Sequence, residues 1–239
     1  MVVKRGKTGT QSPVYRDVLP DPSITLEQVN FTFEKKMQAW KRSSCRRTLL
    51  AMLEKARDDS GWRLEKALCL GSGGFARRNF TSNQRSLMQL VCFVDIVENL
   101  GAGTASAPVQ LLAQDPAYLQ IDKDFLHSKG VTVLDLDAND HGSLEAAKPH
   151  IGPTTMVFEP FMGLDGMAFK DAFEVETAVY IGTSWSRLCA DRNDEIKDFA
   201  ERFYREHENR WFPRFEEDTN VFEGLWVHWR LPQELDSNN

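Results

Sequence analysis

The chain carries five short apolar runs, each closed by a turn signal and separated from the next by a segment of helical character. They are Lys66 to Leu70, Val109 to Ala113, Val131 to Leu134, Thr155 to Phe158 and Ala178 to Ile181. A run of this length without polar alternation suits a strand covered on both faces, and strands that alternate with helices imply parallel neighbours joined by crossovers. The pattern predicts an α/β domain, Rossmann-like and doubly wound, with a mainly parallel sheet of five or more strands and helices on both faces.

Helical spacing predicts crossovers over Gln84 to Asn99, Asp122 to Lys129 and Ser143 to Lys148. A capping pattern at Thr25 to Gln28 opens one helical stretch that carries Met37, Trp40, Leu50 and Leu53 and stops near Gly61. Later, Ile196, Phe199, Ala200, Phe203 and His207 recur at helical spacing, with Asp191 to Asp194 as the start and Pro213 as the stop. Val221 to Leu231 alternates and reads as a final strand at the sheet edge. Residues 1 to 22 are polar and aperiodic, which predicts a flexible arm, and residues 23 to 239 form a single domain with an N-terminal helical extension.

With 239 residues, 41% of them hydrophobic, the chain has material for one sizeable core. A net charge of −6 opposes sequence-independent binding to phosphate backbones, so no nucleic-acid partner is expected. No apolar stretch has the length of a membrane span. Cys45, Cys69, Cys92 and Cys189 are widely spaced and lack zinc spacing, so reduced thiols, a cytoplasmic or nuclear location and no metal are expected. His127, His141, His150, His207 and His228 are scattered and read as packed or surface side chains. Lys35, Lys36, Lys41, Arg42, Arg46 and Arg47 read either as a solvated helix face, the bland and favoured reading, or as a positive stripe along one helix that attracts an acidic protein partner.

Gly71-Ser72-Gly73-Gly74-Phe75-Ala76 follows the first strand and precedes a helix. Glycines there permit a tight turn and close approach of a ligand, and N–H groups at a helix start favour negative charge. The alternative is a turn that needs glycine for its own backbone angles. Asp115, after the second strand, stands where an acid accepts hydrogen bonds from ribose hydroxyls, although it lies well beyond the usual interval of about 20 residues. Before Pro116 it also suits an Asx-type turn. Asp135 and Asp137 carry the same ambiguity after the third strand. Glu159 ends the fourth strand as a weak candidate base or substrate anchor, with a plain surface-loop carboxylate as the bland reading, and Thr183 and Ser184 end the fifth as donors. No nucleophile elbow is present, so no hydrolase is expected.

Taken in order, CLGSGGF at Cys69 to Phe75, QRSLMQL at Gln84 to Leu90, QDPAY at Gln114 to Tyr118, TMVFEPFMG at Thr155 to Gly163, IGTSW at Ile181 to Trp185 and VFEGLWVHW at Val221 to Trp229 resemble the sensitivity-to-red-light-reduced family. The resemblance covers about Trp62 to Trp229 and implies a Rossmann-like fold. It also implies a regulatory role, since members are associated with light signalling and circadian input in plants and with cytoskeletal or haem-related phenotypes elsewhere, without an agreed activity. Many relatives carry Pro-His-Cys after the fourth strand, whereas this chain has Pro160-Phe161-Met162, so no role of that His or Cys transfers.

Three readings follow. The first is a regulatory or accessory domain that binds an adenosine-containing, nucleotide-like molecule at Gly71, Ser72, Gly73, Gly74 and Asp115, with Asp137, Glu159, Thr183 and Ser184 nearby. The second is a methyltransferase-like enzyme whose glycine loop holds S-adenosylmethionine; across these readings the cofactor is open between S-adenosylmethionine and a nicotinamide dinucleotide. The third is an interaction module with no ligand, working through the basic helix and exposed tryptophans.

Overall fold

A computed structural model of the protein describes residues 19–101, 108–135, 144–160, 166–173 and 176–231. Asp137 and His141 lie outside the described residues.

Two helices open the fold, α1 (Leu26–Arg42) and α2 (Ser44–Ser60). Thr25 and Gln28 start α1 with a reciprocal capping box, Thr25 Oγ1 accepting from Gln28 N at 3.2 Å and Gln28 Oε1 from Thr25 N at 2.8 Å. The single helix expected from sequence is broken at Ser43, whose extended backbone (ψ 151°) ends α1 while its hydroxyl accepts from Arg46 N at 3.1 Å and caps α2. The buried positions step by three or four up to Trp40 and then by five to Cys45, and this slip together with the capping chemistry of a serine marks the joint. Gly61, with φ 68°, terminates α2.

The remaining elements are β1 (Lys66–Leu70), α3 (Phe80–Gly101), β2 (Gln110–Gln114), α4 (Gln120–Ser128), β3 (Val131–Val133), β4 (Thr155–Glu159), α5 (Gly166–Ala172), β5 (Val179–Thr183), α6 (Ser186–Cys189), α7 (Asp194–Glu206), β6 (His207–Trp211) and β7 (Leu225–Arg230). They build a seven-stranded sheet in the order β3-β2-β1-β4-β5-β7-β6. Strands β3 to β5 of that row are parallel, and β7 runs antiparallel to both β5 and β6. The doubly wound plan expected from the apolar runs is present.

Alternation along the strands splits the core in two. Ala67, Cys69, Met156, Phe158, Val179 and Ile181 face the layer of α1 to α4, and Leu68, Leu70, Val157 and Tyr180 face α5 to α7. The first layer is pinned through Asp95 of α3, which is fully buried. Its carboxylate accepts from Trp40 Nε1 at 3.0 Å and from Arg46 at 2.7 and 3.2 Å. Arg46 is therefore turned inward, and the basic stripe loses one of its members to this ion pair.

Three other expectations change. The helix expected to carry His207 stops at Glu206, and His207 to Trp211 become the edge strand β6, because pairing with β7 (His207↔Arg230 through Trp211↔Trp226) outweighs the apolar periodicity. The last strand is consequently an inner one. Between β3 and β4 the described residues form turns and a single 3₁₀ turn at Lys148–His150 in place of a helix, with Pro149 withholding an N–H. Leu19 to Asp21, at the end of the expected arm, are docked: Pro20 bridges Arg77, Asp21 N donates to Ala76 O at 3.0 Å, and Arg78 N donates to Leu19 O at 3.1 Å.

Candidate functional site

Strand order reverses between β1 and β4, and the carboxyl ends there form the crevice where open parallel sheets bind ligands. Register sets the row across that edge. Leu70 pairs with Gln114, Cys69 with Phe158, and Glu159 with Gly182, so the glycine loop stands between Asp115 and Glu159.

Gly71 and Gly73 adopt positive φ, 68° and 77°. The loop amides, expected to be open to a ligand, are largely engaged by the protein. Gly71 N donates to Gln114 O at 3.0 Å, Gly73 N to Asp115 Oδ2 at 2.6 Å and Phe75 N to Asp122 Oδ1 at 2.9 Å. The other oxygen of Asp115 accepts from Ala117 N at 2.7 Å, the Asx turn expected before Pro116. Asp115 thus braces the loop, and both of its oxygens are taken by backbone. Burial raises the pKa of Asp115 and of Asp122, opposed by these same hydrogen bonds and by Arg77. Ser72 Oγ meets Tyr118 OH at 2.6 Å, and Arg77 reaches Ala117 O. A Cβ on Gly74 would lie 2.9 Å from Asp122 Oδ2 and 3.2 Å from Ala117 O, so this glycine serves the clamp itself.

The loop does not run straight into a helix. Arg77 to Asn79 intervene, and Asn79 Oδ1 accepts from Ser82 N at 3.0 Å at the start of α3. Between Gly71 to Gly73 and the first turns of α3 lies a cavity of about 420 Å³, faced by Thr81, Ser82, Arg85, Ser86 and Gln89. Among the described residues, Arg85 is the one charged residue on its wall. Its side chain is 39% exposed, and its Nε, without a hydrogen-bond partner among the described residues, forms a loose ion pair with Asp218 Oδ2 at 3.9 Å. Gln89 is held by Val221 O at 3.2 Å. A Cβ on Gly73 would come within 2.7 Å of Ser86 Oγ at the mouth. Sequence reasoning missed these α3 side chains as site residues, although polar Arg85, Ser86 and Gln89 inside an otherwise apolar helix are a readable signal.

Glu159 is fully buried, which corrects the surface-loop reading. Its Oε2 accepts from Tyr180 OH at 2.7 Å and Thr183 Oγ1 at 3.1 Å. Gly182 leaves the room for this, since a Cβ there would collide with the Tyr180 hydroxyl. Burial and the neighbouring carboxylate push the Tyr180 pKa well up. Thr183 and Glu159 are therefore brought together, while Ser184 bonds Ser186 Oγ and Tyr204 OH, both at 2.9 Å, away from that carboxylate.

Residues 25–229 match the family described as the SRR1 domain. The chain belongs to the SRR1 domain family. No curated protein sequence matches it. Among solved structures, a methyltransferase from Geobacter sulfurreducens is 14% identical, covering 91% of this chain and 94% of its own, with a TM-score of 0.42. An O-methyltransferase from Bacillus cereus in complex with SAH is 12% identical, covering 91% and 95%, with a TM-score of 0.38. The O-methyltransferase TomG from Streptomyces achromogenes, in complex with SAM, is 12% identical, covering 91% and 94%, with a TM-score of 0.36.

The SRR1 domain match runs from the Thr25 cap to Trp229 of β7, so the helical extension, the glycine loop and the carboxyl edge all lie within it. Among the described residues of this SRR1 domain, no helix is long and apolar enough to cross a membrane, and no cluster of three or more His, Cys, Asp or Glu side chains is placed to hold a metal ion. Cys45, Cys69 and Cys92 are free and buried, and Cys189 is free and half-buried.

Proposed function

We propose that this SRR1 domain is a regulatory or accessory binding module for a small adenosine-containing molecule with an anionic group, held between the glycine loop and the first turns of α3. The observation that carries this reading is Arg85, the one charged residue among the described lining of a polar cavity at the switch point, its side chain 39% exposed and held by Asp218 only at 3.9 Å. A guanidinium with so loose a carboxylate partner has donors left for a carboxylate or phosphate, which it binds with charge-assisted hydrogen bonds. The hydroxyls of Thr81, Ser82 and Ser86 add donors for the same group or for ribose. Free thiols, buried or half-buried, fit a reducing compartment such as the cytoplasm or nucleus.

Binding is favoured over catalysis because Glu159, the weak candidate for a base, is enclosed by Tyr180 and Thr183. The methyltransferase-like reading shares the same cavity and differs in its ligand, S-adenosylmethionine, whose carboxylate would meet Arg85. Calorimetry with S-adenosylmethionine, S-adenosylhomocysteine, NAD, NADP and ATP tests the site. One of them should bind saturably, and Arg85→Ala should weaken it about tenfold with an unchanged unfolding transition. Silence across all five ends the proposal. Gly73→Leu is a poor probe, since the side chain would strain a positive φ and strike Ser86.

A further inference from the structure

The sheet ends on β6, and the register with β7 fixes which of its backbone groups stay unpaired. Just outside the two ends of the strand, Phe212 N donates to Leu225 O at 3.1 Å and Leu231 N to Glu206 O at 2.9 Å. In an antiparallel ladder such pairs recur at alternate residues, so Glu208 and Arg210 turn their amides and carbonyls to β7, and His207, Asn209 and Trp211 turn theirs to the open edge. Among the described residues, no hydrogen bond reaches the backbone N–H or carbonyl of Asn209 or Trp211. His207 is itself buried, and its carbonyl accepts from Asn209 Nδ2 at 2.8 Å. The open stretch of the edge is therefore Asn209 to Trp211.

Side chains at this edge are exposed on both faces of the sheet. On one, Trp211 is 65% exposed and lies against Trp226, ring centroids 4.0 Å apart. On the other, Arg210 Nη2 pairs with Glu208 Oε1 at 2.5 Å, the side chains 60% and 32% exposed.

An open edge is a template for another strand, and chains that stay apart guard it with charges that repel an incoming copy. The charges on β6 do the reverse. Glu208 and Arg210 occupy alternate positions on one face with opposite signs. When β6 meets an identical strand antiparallel about Asn209, Glu208 falls opposite the partner's Arg210 and Arg210 opposite the partner's Glu208. Registers centred on Glu208 or on Arg210 would set like charges face to face. The register about Asn209 also makes Asn209 and the partner's Asn209 a hydrogen-bonded pair, exchanging N–H···O bonds both ways, and carries Trp211 onto the partner's edge.

We infer that the chain forms a reversible homodimer through antiparallel pairing of β6 with the β6 of a second copy, centred on Asn209, so that one sheet runs through both subunits. The self-complementary charges select a second copy over an unrelated strand. A ladder of five residues from each chain is short, so the association is weak and concentration-dependent. Pairing about a two-fold axis uses up the β6 edge of both copies and closes at the dimer.

Sedimentation velocity of the full chain over a concentration series tests this, with hydrogen exchange as a second readout. Mass should rise from monomer toward dimer, and the Asn209 amide should exchange more slowly as the dimer fills. Glu208→Arg sets arginines opposite one another and should raise the dimer Kd about tenfold, Arg210→Glu should do the same with glutamates, and the two together should restore it. A chain that stays monomeric throughout, leaving the edge to a strand of another protein, overturns the inference. So does a dimer that ignores the charge reversals, is not restored by the double exchange, or leaves the Asn209 amide unprotected. The concentration series and the exchange measurement use the unaltered chain, so they stand even if a variant fails to fold.

Discussion

Asp95 shows how much one side chain contributes when it joins three helices. Its carboxylate takes the indole of Trp40 on α1 and the guanidinium of Arg46 on α2 while sitting fully buried on α3. Asp95→Ala leaves the Trp40 indole N–H without an acceptor and Arg46 without its carboxylate, with only Asn99 Oδ1 at 3.2 Å still accepting, and we expect a loss of about 3–5 kcal/mol, read as a lower urea midpoint at unchanged slope. Asp115→Ala should release the amides of Gly73 and Ala117, seen as faster hydrogen exchange at those two positions, with an order of 1–3 kcal/mol lost. The place of Asp115 after the second strand was legible in the sequence, and its Asx turn followed from Pro116. Its second bond, to Gly73, was not legible, because it depends on how β1 and β2 pair and no local pattern encodes that register. Glu159 failed in the same way: a carboxylate before a proline looks exposed until Tyr180 and Thr183 close over it.

At the scale of elements, the strands were readable because they are buried on both faces and so appear as unbroken apolar runs. β6 was not. HENRW has little apolar content and continues a helical spacing, and only its pairing with β7 makes it a strand. That pairing buries two imidazoles, His207 with a pKa pushed down to about 4 and His228 to about 3. Folding therefore favours their neutral forms, the unfolded chain binds more protons below pH 6.5, and the stabilisation is complete above that value and lost as pH falls toward 4 and then 3. Asp115 and Asp122, raised by burial, act with the opposite sign. Thermal unfolding from pH 7 to pH 4 should show a steady drop in Tm, and His228→Phe should flatten it; an equally steep drop in that variant would remove the imidazole from the account. The α1 to α2 joint gives a smaller test. Ser43→Ala should cost about 1 kcal/mol by removing the cap of α2.

Across the whole molecule, the sheet separates two cavities. One lies at the carboxyl ends beside β1, and the other, lined by phenylalanines and by charged residues alike, at the amino ends beside β5. Occupancy of either stabilises the native state by mass action, by about 2.7 kcal/mol at a ligand concentration one hundred times Kd. An adenosine-containing ligand in the first should then raise Tm. The doubly wound plan was visible in the spacing of apolar runs, while its switch point and the antiparallel hairpin beyond β5 depended on long-range pairing. One contact ties the start of the chain to the crevice. Leu19 to Asp21 are laced by backbone bonds to Ala76 to Arg78, just past the glycines, so the crevice wall leans on a splint from outside its own stretch of sequence. Cutting the protein at Ser23 would remove that splint, leaving every helix and strand in place and slackening the floor on which a guest has to sit.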